Sequence, residues 1–310
     1  MGDKLKAWTR LFRPWSLAAT LVPFMLAAAM CEEVEPWRAA AALFAAAMLQ
    51  NTVNLLNTYG DDASGVDRAE GAFVSVRAVQ DGIVAAKSVR NAAIACAALA
   101  VAAGVPLLAV EKAGGAWGVN WPLAAIAAAG LWGATNYATA WKFKYRGLGV
   151  VFVFSLMGWL ETMGFCHAMA ARRCPFVEIF AYSLPASCLV AAILHGNDMR
   201  DMASDRAAGI RTLATTLGAG GALAAYAVLH LAAVLCAIVF AAVRIDAMFL
   251  LPLAACVVQA KSLLYALRTY RANPVAPQYR NLERHSAAAH LIAGVLWSAA
   301  IWQCHPAAGG

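Results

Sequence analysis

The chain has 310 residues, of which 62% are hydrophobic and 13% are charged, and its formal net charge at pH 7 is +7. Soluble globular domains have about 25% charged residues, so this composition excludes an ordinary soluble enzyme and indicates a protein that lies largely within a lipid bilayer. Apolar stretches recur with short polar gaps and leave no room for a separate soluble domain, so we treat residues 1–310 as a single membrane domain.

Nine apolar stretches are long enough to cross the hydrocarbon core as helices. Hydrocarbon offers free backbone groups no hydrogen-bond partner, and the stretches lack the alternation of a β-barrel, so the sequence predicts an all-α integral membrane bundle of about nine transmembrane helices. The first stretch has no clear cleavage site, so we interpret it as a span and not as a signal peptide. In chain order, the predicted spans are 15–31, 38–57, 91–110, 120–139, 148–170, 176–195, 217–241, 247–267 and 285–303.

The positions of the basic residues predict the orientation of the bundle. Assigning alternate loops to opposite sides places 19 of the 24 Lys and Arg residues on the side of the N-terminus. By the positive-inside rule this side is cytosolic, in a cell (inner) membrane, and an odd number of spans puts the C-terminus outside. The five basic residues on the outer side are Arg38, Lys112, Arg172, Arg173 and Arg244. The positive charge also attracts anionic headgroups and diphosphates, and we expect no nucleic-acid partner.

The acidic residues are concentrated in two segments on the predicted cytosolic side. Six of the 17 acidic residues lie there: Asp61, Asp62 and Asp67 in the first segment, and Asp198, Asp201 and Asp205 in the second. Each segment begins near the end of a span, so the acids lie at a polar mouth that faces the cytosol. Ordinary loops do not concentrate a third of the acids of a chain in this way.

The spacing of these acids predicts a magnesium site. Side chains four residues apart on a continuing helix share one face, and this spacing joins Asn57 to Asp61 and Asn197 to Asp201 and Asp205. Carboxylates so placed repel one another, and a hard divalent cation removes the repulsion. We therefore predict that Mg²⁺ bridges a bound diphosphate to oxygen ligands from Asn57, Asp61, Asp67, Asp201 and Asp205.

Basic residues on the same predicted surface are candidate ligands of the diphosphate. Arg binds phosphate oxygens in a bidentate manner, and Lys binds them as a point charge. The alternative is that each of these residues is a solvated loop charge. The candidates are Arg77, Lys144, Arg146, Arg200, Arg206 and Arg211.

Both segments resemble the paired Asp-rich motifs of the UbiA superfamily of intramembrane aromatic prenyltransferases. Residues 57–67 read Asn-Thr-Tyr-Gly-Asp-Asp-Ala-Ser-Gly-Val-Asp, and residues 197–206 read Asn-Asp-Met-Arg-Asp-Met-Ala-Ser-Asp-Arg. The ten-residue interval from Asn57 to Asp67 is similar to that of the 1,4-dihydroxy-2-naphthoate branch, which acts in menaquinone biosynthesis. Lys144-Tyr145-Arg146 is a further match.

The resemblance implies a Mg²⁺-dependent transfer of a polyprenyl group from a polyprenyl diphosphate to an aromatic acceptor. In the menaquinone branch the acceptor is 1,4-dihydroxy-2-naphthoate, which loses CO₂ to give demethylmenaquinone. Other possible acceptors are 4-hydroxybenzoate, homogentisate and 1,4-dihydroxy-6-naphthoate. The catalytic residues implied are Asp61, Asp67, Asp201 and Asp205, and Tyr145 and Asn197 join the substrate-binding residues. The rival class is a multi-span transporter, whose acids are expected along a path through the membrane and not at span ends.

The chain departs from the family pattern at three positions. Thr58 stands where an Asp is usual, Val150 where an acid is common, and Ile210 where a Lys is usual. Asp62 and Arg211 are neighbours that can compensate for the first and the third departure.

Glu161 differs from the other acids because it lies about halfway along the predicted span 148–170. A carboxylate at that depth is costly unless it faces the interior of the bundle or a partner. We expect Glu161 to line the substrate chamber and to affect acceptor choice or the path of the prenyl tail. The alternative is a protonated glutamate that only packs helices together, with His167 or His195 as its partner.

Overall fold

The structure, a computed structural model, describes residues 2–65, 77–111, 115–173, 175–244, 246–272 and 282–304. Its α-helices are α1 (Gly2–Phe12), α2 (Ala18–Met30), α3 (Pro36–Ala63), α4 (Ala86–Gly104), α5 (Trp121–Asn136), α6 (Gly149–Phe154), α7 (Leu160–Met169), α8 (Phe176–Ala207), α9 (Leu213–Arg244), α10 (Cys256–Ala272) and α11 (Leu282–Cys304). Four short strands, β1 (Cys31–Val34), β2 (Ala109–Glu111), β3 (Trp117–Val119) and β4 (Ala170–Arg173), form two antiparallel pairs, β1 with β4 and β2 with β3.

Eight helical segments of the described residues are long and apolar enough to cross a membrane. The predicted all-α membrane bundle is therefore confirmed, and the chain is a multi-pass membrane protein. The predicted span 120–139 corresponds to α5, whose 16 residues extend about 24 Å at 1.5 Å per residue, less than the roughly 30 Å of hydrocarbon. Helix α5 is therefore not among the eight segments, although it lies where the sequence predicts a span.

The bundle has two distinct ends. We call the end at which α3 and α8 carry their Asp residues the mouth end, and the opposite end the far end. At the far end Asn120 donates a hydrogen bond to the carbonyl of His167 at 2.9 Å. At the mouth end the backbone nitrogen of Lys144 donates to the carbonyl of Tyr137 at 3.0 Å. These bonds hold α5, which lies between Asn120 and Tyr137, across the bundle.

Arg38 connects separate segments of the chain at the far end. It was expected on the outer side, and the structure buries it at the start of α3, where its guanidinium donates hydrogen bonds to the carbonyls of Leu107, Ala109 and Ala168. Carbonyls in the last turn of a helix lack a helical partner, and Leu107 and Ala168 lie where the segments of α4 and α7 end. Arg38 therefore ties three segments together without a loop between them.

The main hydrophobic core joins α2, α3, α7, α8 and α11. Met169 and Ile179 are fully buried within it, and Trp297 of α11 donates a hydrogen bond from Nε1 to the carbonyl of Tyr182 at 2.7 Å. The α3 and α8 residues in this core lie in the first halves of those helices, and their Asp residues lie near the opposite, mouth end.

The span that contains Glu161 is interrupted. Between α6 and α7 the segment Ser155–Trp159 has a wider helical turn, and Gly158 leaves helical geometry with φ −102° and ψ −108°. A Cβ on Gly158 would lie 2.3 Å from Oγ of Ser187 in α8, so only glycine permits this close approach. The break at Gly158 sets the direction in which α7 and Glu161 continue.

Candidate active site

Asp61 is held in place by two side chains from a distant segment. It lies in the last turns of α3, and Lys144 Nζ approaches its two carboxylate oxygens at 2.7 and 2.8 Å. The hydroxyl of Tyr145 donates to Oδ1 of Asp61 at 2.5 Å. The sequence separates these residues by more than eighty positions, and the structure joins a predicted metal ligand to two predicted substrate-binding residues.

Close backbone packing brings α3 to this segment. A Cβ on Gly60 would lie 2.5 Å from the carbonyl oxygen of Ala138, so a side chain at Gly60 would push α3 away. Lys142, with φ 54°, takes a left-handed conformation that turns the chain into the short 3₁₀ segment Phe143–Tyr145. Gly60 and Lys142 thus place the Lys144 and Tyr145 side chains against Asp61.

The second acid segment is helical, as the four-residue spacing predicts. Helix α8 continues to Ala207, so Asn197, Asp201 and Asp205 lie on one face. Asp198 and Asp205 are each 8% exposed. Because the unbroken helix buries Asp205, its carboxylate is held close to the interior of the mouth.

Arg200 forms an ion network between α8 and α11. Its guanidinium donates to both carboxylate oxygens of Asp201 at 2.7 and 2.6 Å and to Glu283 at 2.9 Å. Arg200 was predicted as a diphosphate ligand, and here it orients Asp201. Glu283, which lies one residue after the start of α11, was not predicted, because nothing in its local sequence connects it to the Asp segments.

Lys144 links the two Asp segments electrostatically. Burial alone would lower the pKa of Lys144, but the charge of Asp61, the hydrogen bond to Asp61 and the charge of Asp205 together raise it above its usual value. Asp198 also interacts electrostatically with Lys144. A cation that faces both segments stabilises carboxylates that would otherwise repel one another.

The residues at the mouth fit a magnesium–diphosphate complex. Oδ1 of Asn57 and Oδ1 of Asn197 are buried and have no hydrogen-bond partner among the described residues. Buried polar atoms are almost always paired, and an amide oxygen is a ligand type suited to hard cations. Among the described residues no three acidic, His or Cys side chains form a metal cluster by themselves. Mg²⁺ typically takes only one or two carboxylates, together with phosphates and waters.

Several predicted site residues lie elsewhere or outside the described ranges. Asp67 falls outside the residues that the structure describes. Arg77 is exposed and forms an ion pair with Asp81 at 3.3 Å, so the structure does not bring it to the acids. The side chains of three further candidates are exposed around the mouth: Arg146, Arg206 and Arg211.

Two of the three departures from the family pattern, Thr58 and Ile210, lie at the mouth in defined local contacts. Thr58 accepts a hydrogen bond from the Arg13 guanidinium at 3.4 Å, so its position is polar and lies at the mouth. Ile210 is buried, and its backbone nitrogen donates to the carbonyl of Asp205 at 2.7 Å. The backbone nitrogen of Arg211 donates to the carbonyl of Tyr145 at 3.3 Å, which joins the end of the second segment to the Lys144 segment.

A largely apolar cavity of about 400 Å³ lies between α3, α4, α5 and the α6–α7 span. Alkyl and aromatic side chains line most of it. The lining side chains that carry a polar group, among the described residues, are Gln50, Tyr137 and Glu161. Tyr137 lies at the mouth end, within electrostatic reach of Asp61 and Asp198. The cavity therefore begins next to the carboxylates and continues into the bundle.

Glu161 lines this cavity, as expected from its depth. The suggested pairing with His195 is not found among the described residues: Nε2 of His195 is hydrogen-bonded to the carbonyl of Ala222 at 2.8 Å, and its Nδ1 has no hydrogen-bond partner there. The side chain of Glu161 instead lies beside the hydroxyl of Thr20 in α2.

The sequence makes Tyr137, with Trp132, Trp141 and Trp159, an aromatic candidate to face an allylic cation. The buried hydroxyl of Tyr137 has no hydrogen-bond partner among the described residues. Asp198 is a residue of the second acid segment that sequence reasoning did not assign to the site. Asp198 did carry a signal, because it shares a helix face with Asp201 and Asp205 at intervals of three and four residues.

Comparisons with known proteins agree with this architecture. The model of the UbiA prenyltransferase family matches residues 16–287. The chain is 29% identical over 245 residues to the 1,4-dihydroxy-2-naphthoate octaprenyltransferase of Escherichia coli (strain K12). The aligned region covers 77% of each chain. It is 31% identical over 257 residues to the UbiA prenyltransferase domain-containing protein 1 homolog of Drosophila melanogaster, covering 81% of this chain and 68% of that protein.

A solved structure has the same fold. The UbiA homolog from Archaeoglobus fulgidus bound to GPP and Mg²⁺ superposes with a TM-score of 0.60 at 16% sequence identity. The superposition covers 94% of this chain and 99% of that chain.

Proposed function

The chain belongs to the UbiA prenyltransferase family, and from that premise we propose that it transfers a polyprenyl group from a polyprenyl diphosphate to 1,4-dihydroxy-2-naphthoate in a Mg²⁺-dependent reaction. The observation that carries this proposal is the ion pair of Asp61 with Lys144, which also interacts with Asp205, close to Tyr137 in the lining of the apolar cavity. A diphosphate suits the charged entrance, and a hydrocarbon tail suits the cavity. The relative in Escherichia coli, named for the same acceptor, supports this choice of acceptor.

The diphosphate binds at the mouth. Oxygens of Asn57, Asp61, Asp201 and Asp205, together with Asp67, would hold Mg²⁺, which would supply positive charge to stabilise the diphosphate leaving group. Lys144 and Tyr145 donate to Asp61 and are within reach of a diphosphate bound beside it, so they also stabilise the leaving group.

Ionisation of the donor places positive charge on the allylic carbon at the start of the cavity. Tyr137 lies there, between the carboxylates and the apolar lining. The face of an aromatic ring attracts cations, and the apolar walls exclude water that would hydrolyse the cation. We therefore assign Tyr137 to the stabilisation of this charge.

The aromatic ring of the acceptor then attacks the allylic carbon. The C–O bond to diphosphate breaks, and a C–C bond forms at the ring carbon that carries the carboxylate. Loss of CO₂ from that carbon returns its bonding electrons to the ring and restores aromaticity, which gives diphosphate and demethylmenaquinol, the hydroquinone form of demethylmenaquinone. The reaction needs no oxidant or reductant.

The orientation follows from the charge distribution. N-terminal helix α1 packs through Leu11 against the mouth-end part of α3, whereas α11 ends at Cys304, near Asp246 of the far end. Because 19 of the 24 basic residues belong to the predicted cytosolic segments, we propose that the mouth and the N-terminus face the cytosol from a cell (inner) membrane. Residues 1–310 act as one domain in this proposal.

The function is tested with isolated membranes that contain the protein. They are incubated with Mg²⁺, a labelled polyprenyl diphosphate and, separately, each of four acceptors: 1,4-dihydroxy-2-naphthoate, 4-hydroxybenzoate, homogentisate and 1,4-dihydroxy-6-naphthoate. We expect a product with the mass of prenylated 1,4-dihydroxy-2-naphthoate minus CO₂, absent with Asp61→Ala. A product with another acceptor alone would overturn the assignment of the acceptor, and no product with any acceptor would overturn the prenyl-transfer proposal.

A further inference from the structure

A stripe of polar side chains on α3 runs from the mouth to the apolar cavity. Helix α3 is continuous here, and intervals of four, three and four residues place these side chains on one face: Gln50, Asn54, Asn57 and Asp61. Gln50 lies seven residues before Asn57, which corresponds to about 10 Å along the helix. Gln50 lines the cavity, and the next residue of the stripe, Ala46, lines it with an apolar side chain.

Hydrogen bonds determine which atom of the Gln50 amide is available to a molecule in the cavity. Nδ2 of Asn54 donates to the carbonyl of Phe12 at 3.0 Å, and a carbonyl can only accept. Oδ1 of Asn54 therefore has to accept as well, and Nε2 of Gln50 donates to it at 3.4 Å. Nε2 also donates to Oγ of Ser16 at 3.5 Å. Neither bond uses Oε1 of Gln50, so this oxygen is the acceptor that the amide offers to the cavity.

Gln50 lies about one helical turn beyond the place assigned to the allylic carbon. The ring of Tyr137, which stabilises the charge of that carbon in the proposed reaction, belongs to a cluster against which Val53 of α3 packs. Gln50 precedes Val53 by three residues, about 4.5 Å along α3. Reacting atoms approach to about 3–3.5 Å before a bond forms. An aromatic ring that attacks the allylic carbon therefore extends to the level of Gln50.

Glu161, which also offers oxygen acceptors in the lining, is farther from the attacking ring. It lies beside the hydroxyl of Thr20, whereas Gln50 donates to Ser16. The helical segment that contains Ser16 and Thr20 runs from the mouth towards the far end, and four residues advance it by about one turn. Of the two, Gln50 is therefore the nearer to the ring.

The acceptor of the proposed reaction has one hydroxyl group that suits Oε1 of Gln50. In 1,4-dihydroxy-2-naphthoate the 1-hydroxyl is next to the carboxylate and can donate to it, whereas the 4-hydroxyl has no such neighbour. The positive charge of Lys144 at the mouth attracts the carboxylate, so the 4-hydroxyl points into the cavity. A hydroxyl without a partner among apolar side chains is unfavourable, and Oε1 of Gln50 provides that partner.

We propose that Gln50 is a substrate-binding residue whose Oε1 accepts a hydrogen bond from the 4-hydroxyl of the acceptor. This bond orients the ring so that the carbon that carries the carboxylate faces the allylic carbon. Ser16 and Asn54 hold the amide of Gln50 and are positioning residues. The inference rests on the proposed function, because it concerns the acceptor of that reaction.

The test removes the hydroxyl from the ligand and the oxygen from the protein. The purified protein is dialysed to equilibrium with Mg²⁺ and inorganic diphosphate but no prenyl donor, which gives the Kd of each ligand without transfer. The ligands are 1,4-dihydroxy-2-naphthoate and 1-hydroxy-2-naphthoate, which lacks only the 4-hydroxyl. The ratio of the two Kd values is compared between the wild type, Gln50→Met and the control Gln303→Met, which makes the same change in an exposed side chain of α11.

We expect the wild type and Gln303→Met to bind the dihydroxy ligand about tenfold more tightly, near the upper end for one hydrogen bond between neutral groups. Gln50→Met should bind both ligands about equally. A purely structural role of Gln50 would weaken both ligands by the same factor, so an unchanged ratio in Gln50→Met would overturn the proposal. If Gln50→Met binds neither ligand, the same ratio is decisive in Gln50→Asn, which keeps the amide but withdraws its oxygen by one methylene group.

Failure of this proposal is distinguishable from failure of the proposed function. A wild type that prenylates 1,4-dihydroxy-2-naphthoate but binds the two ligands equally would overturn the role of Gln50 alone. A wild type that transfers no prenyl group to this acceptor in the membrane assay would overturn the assigned acceptor and, with it, the role of Gln50.

Discussion

Asp61 connects the fold to the proposed chemistry, and Asp61→Asn tests its role with little change of shape. The substitution keeps two polar atoms but removes the charge that Lys144 approaches at 2.7 and 2.8 Å and that Tyr145 approaches at 2.5 Å. Hydrogen bonds to charged groups contribute about 1.5–3 kcal/mol each in proteins. The side chain of Lys144 is 25% exposed and can regain water, so we expect a loss of only about 1–3 kcal/mol in the free energy of unfolding.

The effect of Asp61→Asn on catalysis should be larger than its effect on stability. An electrostatic contact that acts on the transition state is commonly worth about 100-fold to 1,000-fold in kcat. Asp61→Asn should therefore lower kcat by at least about 100-fold while most of the protein stays folded. The matched control is Glu178→Gln, which makes the same chemical change in an exposed ion pair with Arg244 at 3.7 Å and should leave both quantities nearly unchanged.

Product formation is measured by mass spectrometry at limiting Mg²⁺, and the unfolding midpoint is measured by intrinsic fluorescence in the same detergent. Retention of more than about a tenth of the wild-type kcat by a folded Asp61→Asn protein would refute the assignment of Asp61. Equal losses in Glu178→Gln would show that the assay reports general damage.

Three further predictions follow from the same geometry. Gly60→Ala should lower kcat without abolishing folding, because the added methyl meets the carbonyl of Ala138 and moves Asp61 away from Lys144. A Gly60→Ala protein with the kcat of the wild type would show that this close contact is unimportant. Exhaustive chelation should stop product formation, and Mg²⁺ or Mn²⁺ should restore it. Ca²⁺ should restore it poorly, because its bonds are longer and its ligands more numerous. Turnover in the absence of divalent cations would contradict the metal site. The pKa of Lys144 is raised above its usual 10.5, so its stabilisation should be complete below about pH 10.5 and should fall as the pH rises through the higher folded-state value. The difference in unfolding midpoint between wild type and Lys144→Met should then stay constant from pH 7 to pH 9, and a decline within that range would contradict the raised pKa.

The helical content and the second Asp segment could be predicted because their causes are local. Apolar runs must form helices in hydrocarbon, and four-residue spacing places Asn197, Asp201 and Asp205 on one face of α8. The length of α5 departed from the prediction for a physical reason. Bonds from Asn120 and to Tyr137 hold it at both ends, so tertiary contacts replace the residues that a free-standing span would need.

The contacts that organise the site could not be predicted, since they depend on distant segments. The pairing of Asp61 with Lys144 and Tyr145 requires the close approach at Gly60. Arg200 was predicted to bind a phosphate, yet its pairing with Glu283 depends on how α11 packs against α8. Periodicity describes which face of a helix is polar, but it does not identify the helix that meets that face.

The release of CO₂ from the acceptor tests the central claim most directly. The purified protein is incubated with Mg²⁺, farnesyl diphosphate and 1,4-dihydroxy-2-naphthoate that carries an isotopic label in its carboxylate. We predict that labelled CO₂ and prenylated product form in equal amounts, and that neither forms without the diphosphate or with Asp61→Ala. A prenylated product that retains the label, or release of CO₂ without the prenyl donor, would contradict the proposed reaction.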